Sequence, residues 1–303
     1  MEINIIKNTD EKFPFLLKQI PNPPEKLYIL GDLPDDLSDS APKIAIVGTR
    51  KASAHGREFA KKLSKKLTEL GAIIVSGLAM GIDTAAHEGA VLAKGKTIAV
   101  LANGLDSIYP KQNENLAKKI LELGGAIVSE YEPKTPAYQN QFLERNRIVS
   151  GLSIATIVIE APEQSGSIVT ARLAAEQGRE VFVVPGPIDN QNFKGSHKLI
   201  RDGARLTASI EDILEDLKNQ FSIFDLDPAE ICRGQKQNSN FQLNKITEEN
   251  QLLIYKAIQK SGKSLAIDEI IEITDLDSSA ANSAIAFLTI EGIIKETEQG
   301  YSL

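Results

Sequence analysis

Between residues 44 and 217 the chain repeats one pattern six times: a short apolar run, then a longer amphipathic segment of helical period. The runs are 44–47 (IAIV), 72–75 (AIIV), 97–101 (TIAVL), 126–129 (AIVS), 154–159 (IATIVI) and 181–184 (VFVV). Each is too short for a helix and is bounded by turn residues, so each reads as a strand buried on both faces. Glycines just past Leu70 and Leu123 mark helix ends before two of them. Strand then helix, six times over, predicts an α/β fold: a mostly parallel sheet with helices on both faces.

The flanks follow other rules. Residues 1–43 hold six of the thirteen prolines and read as an extended lead-in packed on the core, with a short helix near residues 13–19. Residues 44–218 form the sheet domain. The polar stretch 219–244, containing GQKQNSN, reads as a linker. Residues 245–303 predict helices at about 248–260, 267–273 and 278–291 and a small terminal hairpin, a C-terminal winged-helix module. Its third helix carries no Lys or Arg, and the module has a net charge of −5. Repulsion from duplex phosphates disfavours DNA binding there, and a protein contact is expected.

The single cysteine, Cys232, excludes an internal disulfide framework and a cysteine zinc cluster. No apolar run approaches the roughly 20 residues of a spanning helix, and the start Met-Glu-Ile-Asn lacks a signal pattern. A cytoplasmic protein with no membrane contact is expected. The formal charge of −7 lies in the two ends, while residues 50–66 hold seven basic residues against one Glu. A phosphate-binding face is compatible with that distribution.

Ligands of open parallel sheets sit beyond the carboxyl ends of the strands. Those ends carry Gly48-Thr49-Arg50-Lys51-Ala-Ser53, Ser76-Gly77 through Gly81-Ile-Asp83, Asn103-Gly104 with Tyr109-Pro110-Lys111, and Ser165-Gly166-Ser167. Neither GxGxxG nor GxxxxGK[ST] occurs in the first of these loops. Glycines, hydroxyls and bases without a paired nucleophile and general base suit phosphate holding, and the start of a helix at Ser165–Ser167 favours an anion. The string Phe142-Leu-Glu-Arg145-Asn146-Arg147 adds a ring in a polar setting beside two guanidiniums. Such a ring can stack a base while arginines hold phosphates.

Other residues carry plainer readings. Lys61, Lys62, Lys65 and Lys66 read as a solvated helix face. Asp83 and His87 are spaced to meet on a helix, yet local bonding is expected there and not a metal pair. His55 and His197 are isolated. Glu160, at the end of the fifth run, is the one acid placed where α/β enzymes put theirs, and it has no second carboxylate beside it. No catalytic residue, metal or cofactor is expected.

Taken together, IAIVGTRKAS, IVSGLAMGIDTAAHEGA, KTIAVLANGLDSIYPKQNENL, GAIVSEY, FLERNRIVSGLS, IEAPEQSGSIVTARLAAEQGREVFVVPGPI and GSHKLIRDGARL resemble, in that order, the DprA (Smf) family of DNA-processing proteins. The resemblance runs from about Pro14 to Leu217. It implies a Rossmann-like fold that binds single-stranded DNA without strict sequence preference, forms homodimers, and loads a RecA-type recombinase during natural transformation. It assigns DNA binding to Arg50, with Gly48, Thr49 and Ser53 around it, to Lys111 and Phe142, and to Ser165, Gly166 and Ser167. It also places the dimer contact near residues 195–206. The carboxy-terminal module varies within the family.

The expected function is thus a non-catalytic single-stranded-DNA-binding recombination mediator. Phosphates would rest on loop N–H groups, Arg50, Lys111 and one or both of Arg145 and Arg147. A nucleotide phosphoribohydrolase is the rival from the enzyme class; its PGGxGTxxE string is replaced here by APEQSGSIVTA. A duplex-reading regulator acting through the winged helix is disfavoured by that module's charge.

Overall fold

The computed structural model describes residues 2–34, 41–221, 249–261, 264–274, 276, 278–290, 294–297 and 300–302. It divides into two compact units, 1–233 and 234–303.

The first unit is built on a nine-stranded sheet. Its strands are β1 (Asn4–Lys7), β2 (Lys26–Gly31), β3 (Lys43–Gly48), β4 (Ile73–Ser76), β5 (Thr97–Leu101), β6 (Ala126–Ser129), β7 (Ala155–Ile159), β8 (Glu180–Val183) and β9 (Arg205–Leu206). Its helices are α1 (Phe15–Lys18), α2 (Ala54–Glu69), α3 (Ile82–Leu92), α4 (Glu114–Glu122), α5 (Gln139–Gly151), α6 (Gly166–Glu176), α7 (Lys194–Arg201) and α8 (Ile210–Phe221). The strand order is β1-β2-β6-β5-β4-β3-β7-β8-β9. All neighbours from β6 through β9 are parallel, and β1 and β2 are antiparallel additions.

The two-residue side-chain period explains why both faces of the centre are dry. On β3, Ala45 and Val47 enter the core beside α5 and α6 residues such as Ile148, Val149 and Ile168, whereas Ile44 and Ile46 join Leu63, Leu67 and Ile82 of α2 and α3. Each such fully buried aliphatic side chain contributes about 1.5–3 kcal/mol. Ile44–Val47 of β3 and Ala155–Ile159 of β7 are all buried, which is why these runs lack polar alternation.

The lead-in contributes two strands to the sheet, β1 and β2, which its sequence pattern did not mark. Its prolines flank residues 26–31 without interrupting them, so KLYILG is free to donate and accept toward both neighbours, β1 and β6. β2 pairs with β6, Tyr28 opposite Ser129, and its Leu27, Tyr28 and Ile29 are buried. At the other boundary α8 continues to Phe221, so the first residues of the expected linker are helical; residues 222–244 lie outside the described set.

The second unit holds α9 (Glu249–Ser261), α10 (Ile267–Thr274), α11 (Ser278–Ile290) and the hairpin β10 (Lys295–Thr297) and β11 (Gly300–Ser302). Ile254, Ile258, Ile270, Ile285 and Leu288 make its own core, and Leu265 bridges to Tyr301. Three helices with a two-stranded wing are what the 245–303 pattern predicts. Among the described residues, no helix is long and apolar enough to cross a membrane.

The sheet order positions the site. From β3 the chain winds one way through β4, β5 and β6, then returns to lay β7 on the other side of β3. The crevice beyond the ends of β3 and β7 is therefore the topological switch point, where ligands of such sheets bind.

Candidate functional site

At that switch point the strand ends are nearly in contact: a Cβ on Gly48 would sit 2.0 Å from the Ile159 carbonyl oxygen. The next peptide is pinned by Thr49 N–H, which donates to the Glu160 carbonyl at 2.8 Å. Glu160 itself adopts φ +52°, in the left-handed region. Its side chain is 1% exposed and accepts from Ser53 N–H at 2.8 Å, Ser53 Oγ–H and Asn192 Nδ2–H at 3.2 Å. Ser53 Oγ in turn accepts from Gly56 N–H at 2.9 Å and caps α2. Glu160 thus holds the loop 49–53 at both ends. Its carboxylate does not line the cleft in front of that loop.

The cleft has a volume of about 660 Å³. One wall is the exposed Arg50 and the rim of α5, the other the start of α6. The Arg50 guanidinium lies 4.7 Å from the centroid of the Phe142 ring, a cation–π arrangement that fixes two otherwise mobile side chains. Across from them, Ser165 and Ser167 share a hydroxyl–hydroxyl bond of 2.7 Å. The first N–H groups of α6 lack intrahelical partners and, with the helix dipole, favour negative charge here.

Arg145 forms part of the floor and differs from the expectation of a phosphate ligand reaching outward. It is 4% exposed and donates to the Gly77 carbonyl at 2.7 Å and to the Val100 carbonyl. Gly77 has no room for a side chain, since a Cβ would meet the guanidinium at 2.4 Å. The Gly77 N–H donates to Asp83 at 3.1 Å, so the two peptide groups flanking Gly77 are gripped, one by an acid and the next by a cation. Burial lowers the Arg145 pKa to about 10 against the attraction of Asp83, leaving it charged at neutral pH. Burial pushes Asp83 upward, opposed by Arg145 and by backbone N–H groups. His87 bonds through Nδ1 to Thr97 Oγ1 at 2.8 Å and not to Asp83. Burial lowers its pKa to about 3, so it is neutral.

Of the residues singled out from sequence, Gly48, Thr49, Arg50, Phe142, Arg145, Asn146, Ser165, Gly166 and Ser167 line this one cleft. Asn146 joins its walls, donating to the Gly166 carbonyl at 3.2 Å. Ser53 stands behind the loop on Glu160. Lys111 is exposed at the start of a short 3₁₀ turn, two residues past the cleft-lining Tyr109. Arg147 does not line the cleft; it pairs with Glu130, its side chain only 14% exposed. Tyr109, Gly77 and Asp83 were not among the expected site residues. The Tyr-Pro-Lys string points to Tyr109 once the ring, and not only the lysine, is weighed.

Comparison with known proteins bears on the same segment. The family model described as DNA recombination-mediator protein A matches residues 4–218. DNA processing protein DprA of Bacillus subtilis is 44% identical over 215 residues, covering 71% of each chain. Protein Smf of Escherichia coli is 43% identical over 215 residues, 71% of this chain and 57% of that protein. Among solved structures, DprA from Streptococcus pneumoniae superposes with a TM-score of 0.65 at 40% identity, covering 71% of this chain and 74% of that one. DNA processing protein A from Helicobacter pylori, described for its single-stranded DNA binding mode, gives 0.63 at 33% identity, covering 71% and 99%.

Proposed function

The chain belongs to the DNA recombination-mediator protein A family, and from that premise we propose that it is a non-catalytic mediator gripping single-stranded DNA in the β3–β7 cleft. The observation that carries this reading is the Arg50–Phe142 pair at the cleft mouth, facing the start of α6. A guanidinium and a ring presented together answer the two recurring parts of an unpaired strand, its phosphates and its bases. Phosphates sit on Arg50, the loop and α6 N–H groups and Lys111, and Phe142 contacts a base. Arg145 supplies positive charge from the floor while holding the floor together. Arg147, paired with Glu130, contributes least.

The hydrolase alternative needs a carboxylate free to reach a ribose. Glu160 is instead occupied by Ser53 and Asn192, which supports the non-catalytic reading. In the same proposal the protein pairs with itself through residues 195–206, protects incoming strands and passes them to a RecA-type recombinase in the cytoplasm during natural transformation. The exposed edge strand β9, with Leu206 53% exposed, supports that dimer contact.

Fluorescence anisotropy with oligo-dT tests the site. Arg50→Ala and Lys111→Ala each weaken binding and lower the slope of log affinity against log salt by about one, since each removes one phosphate contact. Unchanged binding in both variants at low salt would mean that the cleft is not the site.

A further inference from the structure

We propose that Tyr109 is a second nucleobase platform, taking the base adjacent to the one at Phe142; this rests on the reading of the cleft as a single-strand site. Three side chains form a row. The Arg50 guanidinium covers one region of the Phe142 ring at 4.7 Å. Tyr109 meets the same ring at a centroid distance of 5.7 Å and an interplanar angle of 54°. Phe142 is therefore partly enclosed by its neighbours before any ligand arrives. Tyr109, by contrast, keeps 49% of its surface in water while lining the cleft.

An exposed ring gains nothing for the fold unless it covers apolar surface or bonds through its hydroxyl. Among the described residues the Tyr109 hydroxyl has no hydrogen-bond partner. The backbone that carries it is nonetheless fixed on both sides. Upstream, Asn103 Nδ2 donates to the Gly104 and Ser107 carbonyls at 2.9 and 2.8 Å. Downstream, Asn113 Nδ2 donates to the Leu78 carbonyl at 2.7 Å and to Thr84 Oγ1 at 2.9 Å. A solvent-facing ring on an anchored loop is preorganised for a flat partner, because little freedom is lost on binding.

The ligand chemistry follows from the geometry. The wall continues through Leu143, half-exposed and apolar, so the faces of bases are recognised there more than their edges. Two rings tilted by 54° cannot both stack on bases that remain coplanar. The occupants are thus successive bases splayed apart, a state open to an unpaired strand and closed to a duplex. Any base presents a π-face, so this platform is sequence-tolerant.

The test compares oligo-dT with an abasic oligonucleotide of equal length on the full chain. Tyr109→Ala is expected to weaken oligo-dT binding roughly 5- to 150-fold and to leave abasic binding at the parent level. Tyr109→Phe keeps oligo-dT affinity, because the ring and not the hydroxyl is used. The chain has no tryptophan, so Tyr109→Trp gives a single tryptophan, excited selectively over the tyrosines, whose fluorescence is quenched by oligo-dT and not by the abasic strand. That variant keeps a ring in place, so the question is answered even if the alanine variant does not fold. Parent-level oligo-dT binding by Tyr109→Ala, or an equal loss on both strands, overturns the proposal provided Arg50→Ala is impaired. If Arg50→Ala also binds normally, the cleft reading fails and the Tyr109 platform fails with it.

Discussion

Arg50 and Arg145 carry the same guanidinium, and what separates their roles is who accepts from it. Arg145 is surrounded by the Gly77 and Val100 carbonyls and the charge of Asp83, so its donors are spent inside the fold. Arg50 has an aromatic face on one side and solvent on the other, which leaves its N–H groups for a phosphate. His87 shows the same logic for a titrating group. Its folded pKa of about 3 lies below the ordinary 6.5, so between those values the unfolded chain binds the proton and the folded chain does not. The stability contribution is complete above pH 6.5 and is lost as pH falls toward 3. At pH 5 the loss amounts to about 2 kcal/mol. Urea unfolding at pH 7 and pH 5 checks this: the parent loses more stability on acidification than His87→Gln, by about that amount, and equal losses would show that His87 is not the group responsible.

At the scale of elements, the site depends on how closely β3 and β7 end. Gly48→Ala places a methyl 2.0 Å from the Ile159 backbone oxygen and against Ile82, neither of which can swing aside. Overpacking of this kind costs about 1–3 kcal/mol, seen as a lowered urea midpoint, and shifts the Arg50 loop so that oligo-dT binding falls even in the folded fraction. A Gly48→Ala variant of unchanged midpoint and affinity would show that the two strand ends can separate without consequence. The six central strands were legible because burial on both faces forces continuous apolar runs such as Ile44–Val47 and Ala155–Ile159. β2 was not: its partner β6 lies about a hundred residues away, and prolines on either side of Lys26–Gly31 disguise a pairing that they do not block. β9, of two residues, has no period to detect. The rule placing ligands beyond strand ends pointed to Gly48–Arg50 and Ser165–Ser167, which line one cleft. Charge alone could not separate Arg50 from Arg145, since burial of a guanidinium leaves no mark in a list of bases. Tyr109 sits in an irregular loop, where no spacing distinguishes a packed ring from an open one.

For the whole molecule, two units with separate cores imply separable tasks. A chain ending at Arg233 should fold cooperatively and bind oligo-dT like the full chain, because every cleft residue lies before Thr170 or at it. Loss of single-strand binding on that truncation, with the fold intact by circular dichroism, would assign the activity to the wing-bearing unit instead. The second unit carries a net charge of −5 over 245–303, which disfavours a duplex there. The β1–β2 pair joins the sheet only through β6, and β6 is Ala126–Ser129. On a ribosome β1 and β2 emerge before β6 and have only each other to pair with until some hundred more residues have followed. A strand made well before its central neighbour is thus seated late, and its Leu27, Tyr28 and Ile29 lack their cover for that interval.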